Sequence, residues 1–276
     1  MTWDTLTVDG VDLARPDRIV ETFQVGATTS WRGSNYTVPG KSGTVWVEKP
    51  RDTVTIPLGV TVTCADPETG VDPSGLDAKI AQFNQNWNDL VSLVKPRRRQ
   101  IALGKRISLP DGVEHEVFDA AELAGPVAQS RLNAYTARTV LNFELEDGCW
   151  FDNDISTHTL VTGANYVPVS GTTDTSSLKV DLLVSAAGTQ TLTNESTGVS
   201  FSYVWTASRV GHTVTVDAAN FTVRRFDGVS LFTSLSPFSH AGDARFMVLD
   251  PDAGEGTNEL TLNMGTATLS YRGAWL

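Results

Sequence analysis

The sequence predicts a mainly β protein of two β-sandwich domains, the first with one packed α-helix. Three observations carry this. Apolar residues recur at every second position in many separate stretches, the period of half-buried strands. Turn signals recur about every ten residues, the spacing of a sandwich or barrel. An apolar spacing of three and four residues is sustained once, over Leu76–Val94. The chain of 276 residues is 40% hydrophobic and 19% charged, enough apolar content for two cores. Its polar positions fall heavily on Thr, Ser, Asn and Gly, a mix that favours sheet and turn over helix.

In the first domain, residues 1–148, Leu6, Val8, Val11 and Leu13 flank Asp9-Gly10, a hairpin turn signal. Tyr36–Val47 carries a turn at Pro39-Gly40 between two short extended runs. Next comes Thr53–Thr63, where Val54, Ile56, Leu58, Val60 and Val62 occupy one strand face. Thr53, Thr55, Pro57, Gly59, Thr61 and Thr63 fall on the other, without charge or bulk. A solvent face usually carries charge that blocks edge pairing, so this smooth face predicts packing against another copy or layer. Pro57 cannot donate to a ladder and points to an edge or a bulge.

Asp66–Gly75 reads as a loop, and the helix of residues 75–94 follows. Leu76, Ile80, Phe83, Trp87, Leu90, Val91 and Val94 make its stripe, broad enough to lie across a sheet. Ser74 and Asp77 resemble a capping box, and Pro96 stops the helix. Strands are expected over Gln100–Leu109, Val113–Leu123 and Ala134–Leu145. In the last, Leu141, Phe143 and Leu145 alternate with Val140, Asn142 and Glu144.

The character changes at Glu144–Phe151, and residues 149–276 hold no helical periodicity. Alternation runs through Leu178–Val184, Val199–Trp205, Val214 with Val216, Phe221 with Val223, Leu260–Met264 and Ala267–Tyr271. Alternating aromatics normally face inward, so Tyr203 and Trp205 read first as core. Their secondary reading is a glycan contact, a platform on which a sugar stacks.

The formal net charge is −11, with 15 basic against 20 acidic residues in 1–148 and 6 against 12 in 149–276. Neither half suits a nucleic-acid binder. The concentrated positive charge is Lys95, Arg97, Arg98, Arg99, Lys105 and Arg106, which reads first as a solvated strand face and second as an inter-subunit contact. Cys64 and Cys149 lie far apart, without metal spacing or a disulfide framework, and read as buried free thiols of a protein made in a reducing cytoplasm. Met1–Gly10 has neither a basic nor an apolar leader region, so no signal peptide is expected. No apolar run approaches the roughly 18 residues of a membrane span.

No catalytic, cofactor-binding or metal-binding residue emerges. Gly40-Lys41-Ser42-Gly43 looks like the end of a phosphate loop, but position 35 is Asn and a strand pattern follows. Asp250–Glu255 resembles the start of a calcium loop, but Gly254 and Thr261 stand where ligands belong, so an acidic turn is the better reading. His115, His158, His212 and His240 are scattered. There is no Gly-x-Ser-x-Gly elbow, and nothing selects a carboxylate pair for glycoside hydrolysis.

Three stretches resemble the distal tail proteins of siphophages, and more narrowly the minor tail proteins of actinobacteriophages. They are Val8–Leu13, the run Tyr36–Val47 with the strand Val54–Val62, and the closing strand Ala267–Leu276. The resemblance implies a second domain that is a galectin-like, jelly-roll-like sandwich. It implies a ring at the virion tail tip, usually a hexamer. The first domain would build this ring beneath the tail tube protein and above the tail hub, with the tape measure protein as a further partner. The second domain would point outward toward a receptor-binding protein or host glycan. The candidate ring contacts are Thr53, Thr55, Pro57, Gly59 and Thr61 on one side and Arg97, Arg98 and Arg99 on the other. The alternative function is a carbohydrate-binding sandwich that recognises host cell-wall glycan.

Overall fold

The structure is a computed structural model. It describes residues 6–23, 53–95, 100–108, 114–145, 148–175, 177–218, 220, 222–226, 238–241 and 247–275. The chain divides into two compact units, residues 1–150 with 276, and residues 151–275. Both are built on curled antiparallel sheets.

The first unit holds β1 (Thr7–Val8), β2 (Val11–Asp12), β3 (Arg18–Phe23), β4 (Val54–Val62), α1 (Leu76–Val94), β5 (Ile101–Ser108), β6 (Glu114–Leu123), β7 (Ser130–Asn133) and β8 (Thr136–Leu145). Its sheet runs β2-β1-β5-β6-β8-β4-β3, with β7 also on β8. The first hairpin turns at Asp9 and Gly10, both with positive φ, as a two-residue turn requires. Val54, Ile56, Leu58, Val60 and Val62 are buried, and so are Leu141, Phe143 and Leu145 of the neighbouring β8. The expected alternation thus sets the core face of both strands.

The helix α1 follows the expected stripe through Phe83, Leu90 and Val94, which are buried, but departs from it twice. Leu76 is exposed. Asn86 is buried instead: its Nδ2 donates to the carbonyls of Thr63 (2.9 Å) and Ala65 (2.8 Å), just beyond β4. A satisfied amide is at home in a core, and a pattern that counts only apolar residues passes over it. The capping box does not form. Gly75 is the N-cap, with φ 89° and no side-chain cap bond, one residue later than Ser74 would require. The helix ends at Val94, and Lys95 has φ −54° and ψ 145°, the extended conformation forced on a residue before proline.

The second unit follows β9 (Trp150–Asp152), which spans the boundary. It holds β10 (Ser156–Pro168), β11 (Leu178–Leu183), β12 (Gly188–Asn194), β13 (Val199–Trp205), β14 (Val214–Asp217), β15 (Thr222–Arg225), β16 (Phe238–Ala241), β17 (Thr257–Tyr271) and β18 (Ala274–Trp275). The sheet order is β15-β14-β11-β17-β12-β13-β16, with β10 also on β17. One side of β17 carries β11 opposite Thr266–Tyr271 and β12 opposite Leu260–Leu262. The sheet therefore splits at Asn263–Gly265 into two arms. Residues of both arms, such as Val180, Val216 and Val223 with Leu192, Phe201 and Tyr203, share one core. That arrangement is a sandwich made by folding one sheet.

The bend has dedicated chemistry. Gly265 has φ 76°, and a Cβ there would lie 2.5 Å from the Leu183 carbonyl oxygen, so both conformation and space demand glycine. Gln190 is fully buried beside it. Its Nε2 donates to the carbonyls of Met264 (2.9 Å) and Thr266 (3.2 Å), and its Oε1 accepts from Trp205 Nε1 (3.1 Å). On the β10 side, where the register shifts between Val161 and Gly163, Asn165 accepts from Val161 N and donates to Val161 O and Gly163 O. Near the chain's end Asp152 accepts from Ser170 Oγ (2.9 Å) and Trp275 Nε1 (2.7 Å), which ties β18 back to the start of the unit.

Candidate functional site

The strand registers set the rows of the outer face of the first sheet. Thr55 lies opposite Glu144, Pro57 opposite Asn142, Gly59 opposite Val140 and Thr61 opposite Arg138. Thr53, Thr55 and Pro57 are exposed. This half of β4 is the smooth surface expected from its sequence. The β3 pairing ends at Leu58, so at Pro57 β4 has a described partner on the β8 side alone. The ring nitrogen of proline is tolerated at such a position.

Gly59 and Thr61 correct the sequence reading, because both are buried. Longer side chains from the neighbouring strands gather at Thr61. Glu21 of β3 accepts a hydrogen bond from Thr61 Oγ1 and pairs with Arg138 Nη2 at 2.7 Å. The bare strip is therefore Thr53 to Pro57, flanked by Val140, which is 52% exposed. Ile19 of β3 is exposed on the same face. Val140 and Glu144 alternate in sequence with the buried Leu141, Phe143 and Leu145, so the pattern carries their place. It does not carry that of Ile19, since β3 has a register shift between Val20 and Thr22 that breaks its period.

The basic run does not form one solvated face. Arg97, Arg98 and Arg99 lie outside the described residues. Lys95 is exposed, and Arg106 is exposed and paired with Glu116 at 3.2 Å. Lys105 is 4% exposed, with Nζ 4.4 Å from the centre of the Trp150 ring. Burial pushes its pKa down to about 8. An alternating strand sends Lys105 inward between Gly104 and Arg106, and the aromatic face offsets part of the cost of a buried cation.

Tyr203 and Trp205 are 0% and 2% exposed, packed edge to face with ring centres 4.8 Å apart. Both belong to the core, so neither presents a surface on which a sugar ring can stack. Cys64 and Cys149 are buried and form no disulfide, and burial raises the pKa of Cys64. The turn at Asp250 is an Asx turn, with Asp252 N donating to Asp250 Oδ1 at 2.8 Å. Among the described residues no group of three His, Cys, Asp or Glu could hold a metal ion, and no helix is long and apolar enough to cross a membrane. Gly40–Gly43 and the Tyr36–Val47 run lie outside the described residues. An open cleft of about 220 Å³ in the second unit is lined by Ile155, Lys179, Asp217, Asn220 and Arg272. Asn220 occupies both carboxylate oxygens of Asp217 through its N and Nδ2.

No family model matches the sequence. No curated protein matches it either. Among solved structures, the chain is similar to the SPP1 Dit protein, described as a paradigm of the hub adsorption apparatus in phages that infect Gram-positive bacteria. The two superpose with a TM-score of 0.64 over 99% of each chain, at 14% identity. A chain of the phage p2 baseplate, in its activated conformation with strontium, gives a TM-score of 0.42 over 98% of this chain and 97% of that one, at 10% identity. The likeness to distal tail proteins carried by short stretches of sequence thus extends to the fold of the whole chain, which is that of the SPP1 Dit protein.

Proposed function

We propose that this chain is a structural component of a phage tail tip, a distal tail protein that assembles into a ring, six copies being the usual number for that family. The observation that carries this reading is the shared fold with the SPP1 Dit protein, end to end in both chains. In this reading the first unit builds the ring, with the tail tube protein above, the tail hub below and the tape measure protein beside it. The second unit faces outward, toward a receptor-binding protein or host glycan. A ring is a closed heterologous assembly, so each copy must offer two different patches. The bare strip Thr53, Thr55 and Pro57 serves as one, and the basic run with Arg97, Arg98 and Arg99 as the other.

The test of location is direct. Antibody against the chain, detected by gold labelling, should mark the distal end of the tail on particles of the phage that encodes it. Label along the tail shaft, on the head or nowhere on the particle would overturn the reading.

A further inference from the structure

One row on the outer face of the first sheet sets two like charges side by side. Glu122 of β6 and Glu144 of β8 stand directly opposite one another, and Thr55 of β4 is next in the same row. Both carboxylates are exposed. Like charges directly opposite in a sheet repel. Two exposed arginines of this sheet are neutralised, Arg138 by Glu21 and Arg106 by Glu116. Among the described residues neither Glu122 nor Glu144 has an ion pair. The row borders the neutral strip of Thr55, Pro57 and Val140, so the surface is smooth and apolar with acid at one end.

The complement is in the same sequence. The chain is acidic overall, and its compact block of positive charge is Lys95, Arg97, Arg98 and Arg99. Arginine forks fit carboxylates through two parallel hydrogen bonds.

We propose that the Glu122–Glu144 row, with the neutral strip beside it, receives the basic run of a second copy of this chain. The proposal rests on the ring reading and names the charge contact that closes it. Cross-strand repulsion within each copy is relieved when a neighbour's arginines arrive. The two patches differ, so copies join head to tail and the contact repeats around a ring. Because the contact is ionic and lies at the surface, it weakens as salt rises.

The test uses charge reversal and mixing. Glu122→Lys with Glu144→Lys gives one variant, and Arg97→Glu with Arg98→Glu and Arg99→Glu gives the other. Each should have a wild-type circular dichroism spectrum and should sediment at the mass of a single chain where the wild type is assembled. An equimolar mixture should recover the assembled mass, since each variant then supplies what the other lacks. Assembly that survives both reversals would overturn the charge contact and leave the ring reading in place. Single chains in the mixture would overturn it too, placing the pairing within one copy. A wild type that never assembles on isolated tail tubes or in solution would remove the ring reading itself, and this inference with it.

Discussion

Lys105 is a lysine that the fold holds at a cost. Its pKa falls from 10.5 to about 8 because burial disfavours the ammonium. The unfolded chain keeps its proton up to about 10.5, so between these values the unfolded state binds more protons and stability rises with pH. The cost is fully present below about pH 8 and is relieved as pH climbs through the folded and then the unfolded value. Lys105→Met should therefore be more stable than wild type at pH 7, with the difference narrowing by about 2–3 kcal/mol by pH 10. Denaturant titrations of both proteins across that range check it, and a constant difference would refute it. Gln190 makes the opposite case, a buried polar group with every partner supplied. Gln190→Leu removes the donor to the Met264 and Thr266 carbonyls and the acceptor of Trp205 Nε1 and should cost about 2–4 kcal/mol in the second unit. Neither role was legible in sequence. Lys105 sits in a run of basic residues that suggests solvent, and Gln190 sits among threonines on a strand with little apolar signal. Burial decides both, and burial comes from strands distant in sequence.

At the scale of elements, legibility tracked how much of the core each element supplies. Leu178–Val184 and Val199–Trp205 bury every second residue, and the alternation announced them. The thirteen-residue β10 buries Leu160 and Val167, with a register shift between, so its sequence carries almost no period. Strand β3 escaped for the same reason, a shift at Glu21. The bend in β17 passed unmarked because one glycine among alternating residues does not say which way the sheet folds. Gly265→Ala adds a Cβ at positive φ against the Leu183 carbonyl and should destabilise by at least about 2 kcal/mol. Hydrogen exchange should show the loss first in the β12 and β17 amides beside the bend, and unchanged protection there would count against the account. In the first unit, Asn86→Leu keeps the volume but strips the donor from the Thr63 and Ala65 carbonyls. About 2–3 kcal/mol should be lost, read as a lower denaturation midpoint.

For the whole molecule, the two-sandwich expectation and the likeness to distal tail proteins came from scattered stretches, and the fold match spans them. The proposed assembly face was half legible. Thr53, Thr55 and Pro57 are exposed as their sequence implied, whereas Gly59 and Thr61 are buried, Thr61 beneath a Glu21–Arg138 pair from two other strands. In the proposed assembly this face closes a ring. The measurement that tests it most directly is the solution mass of the purified chain by light scattering, with the same fraction imaged by negative-stain microscopy. Closed rings of about six copies are expected, reduced to single chains by Thr55→Arg with Pro57→Arg. Rings that persist in that double variant, or a wild type that stays a single chain even when isolated tail tubes are added, would contradict the claim.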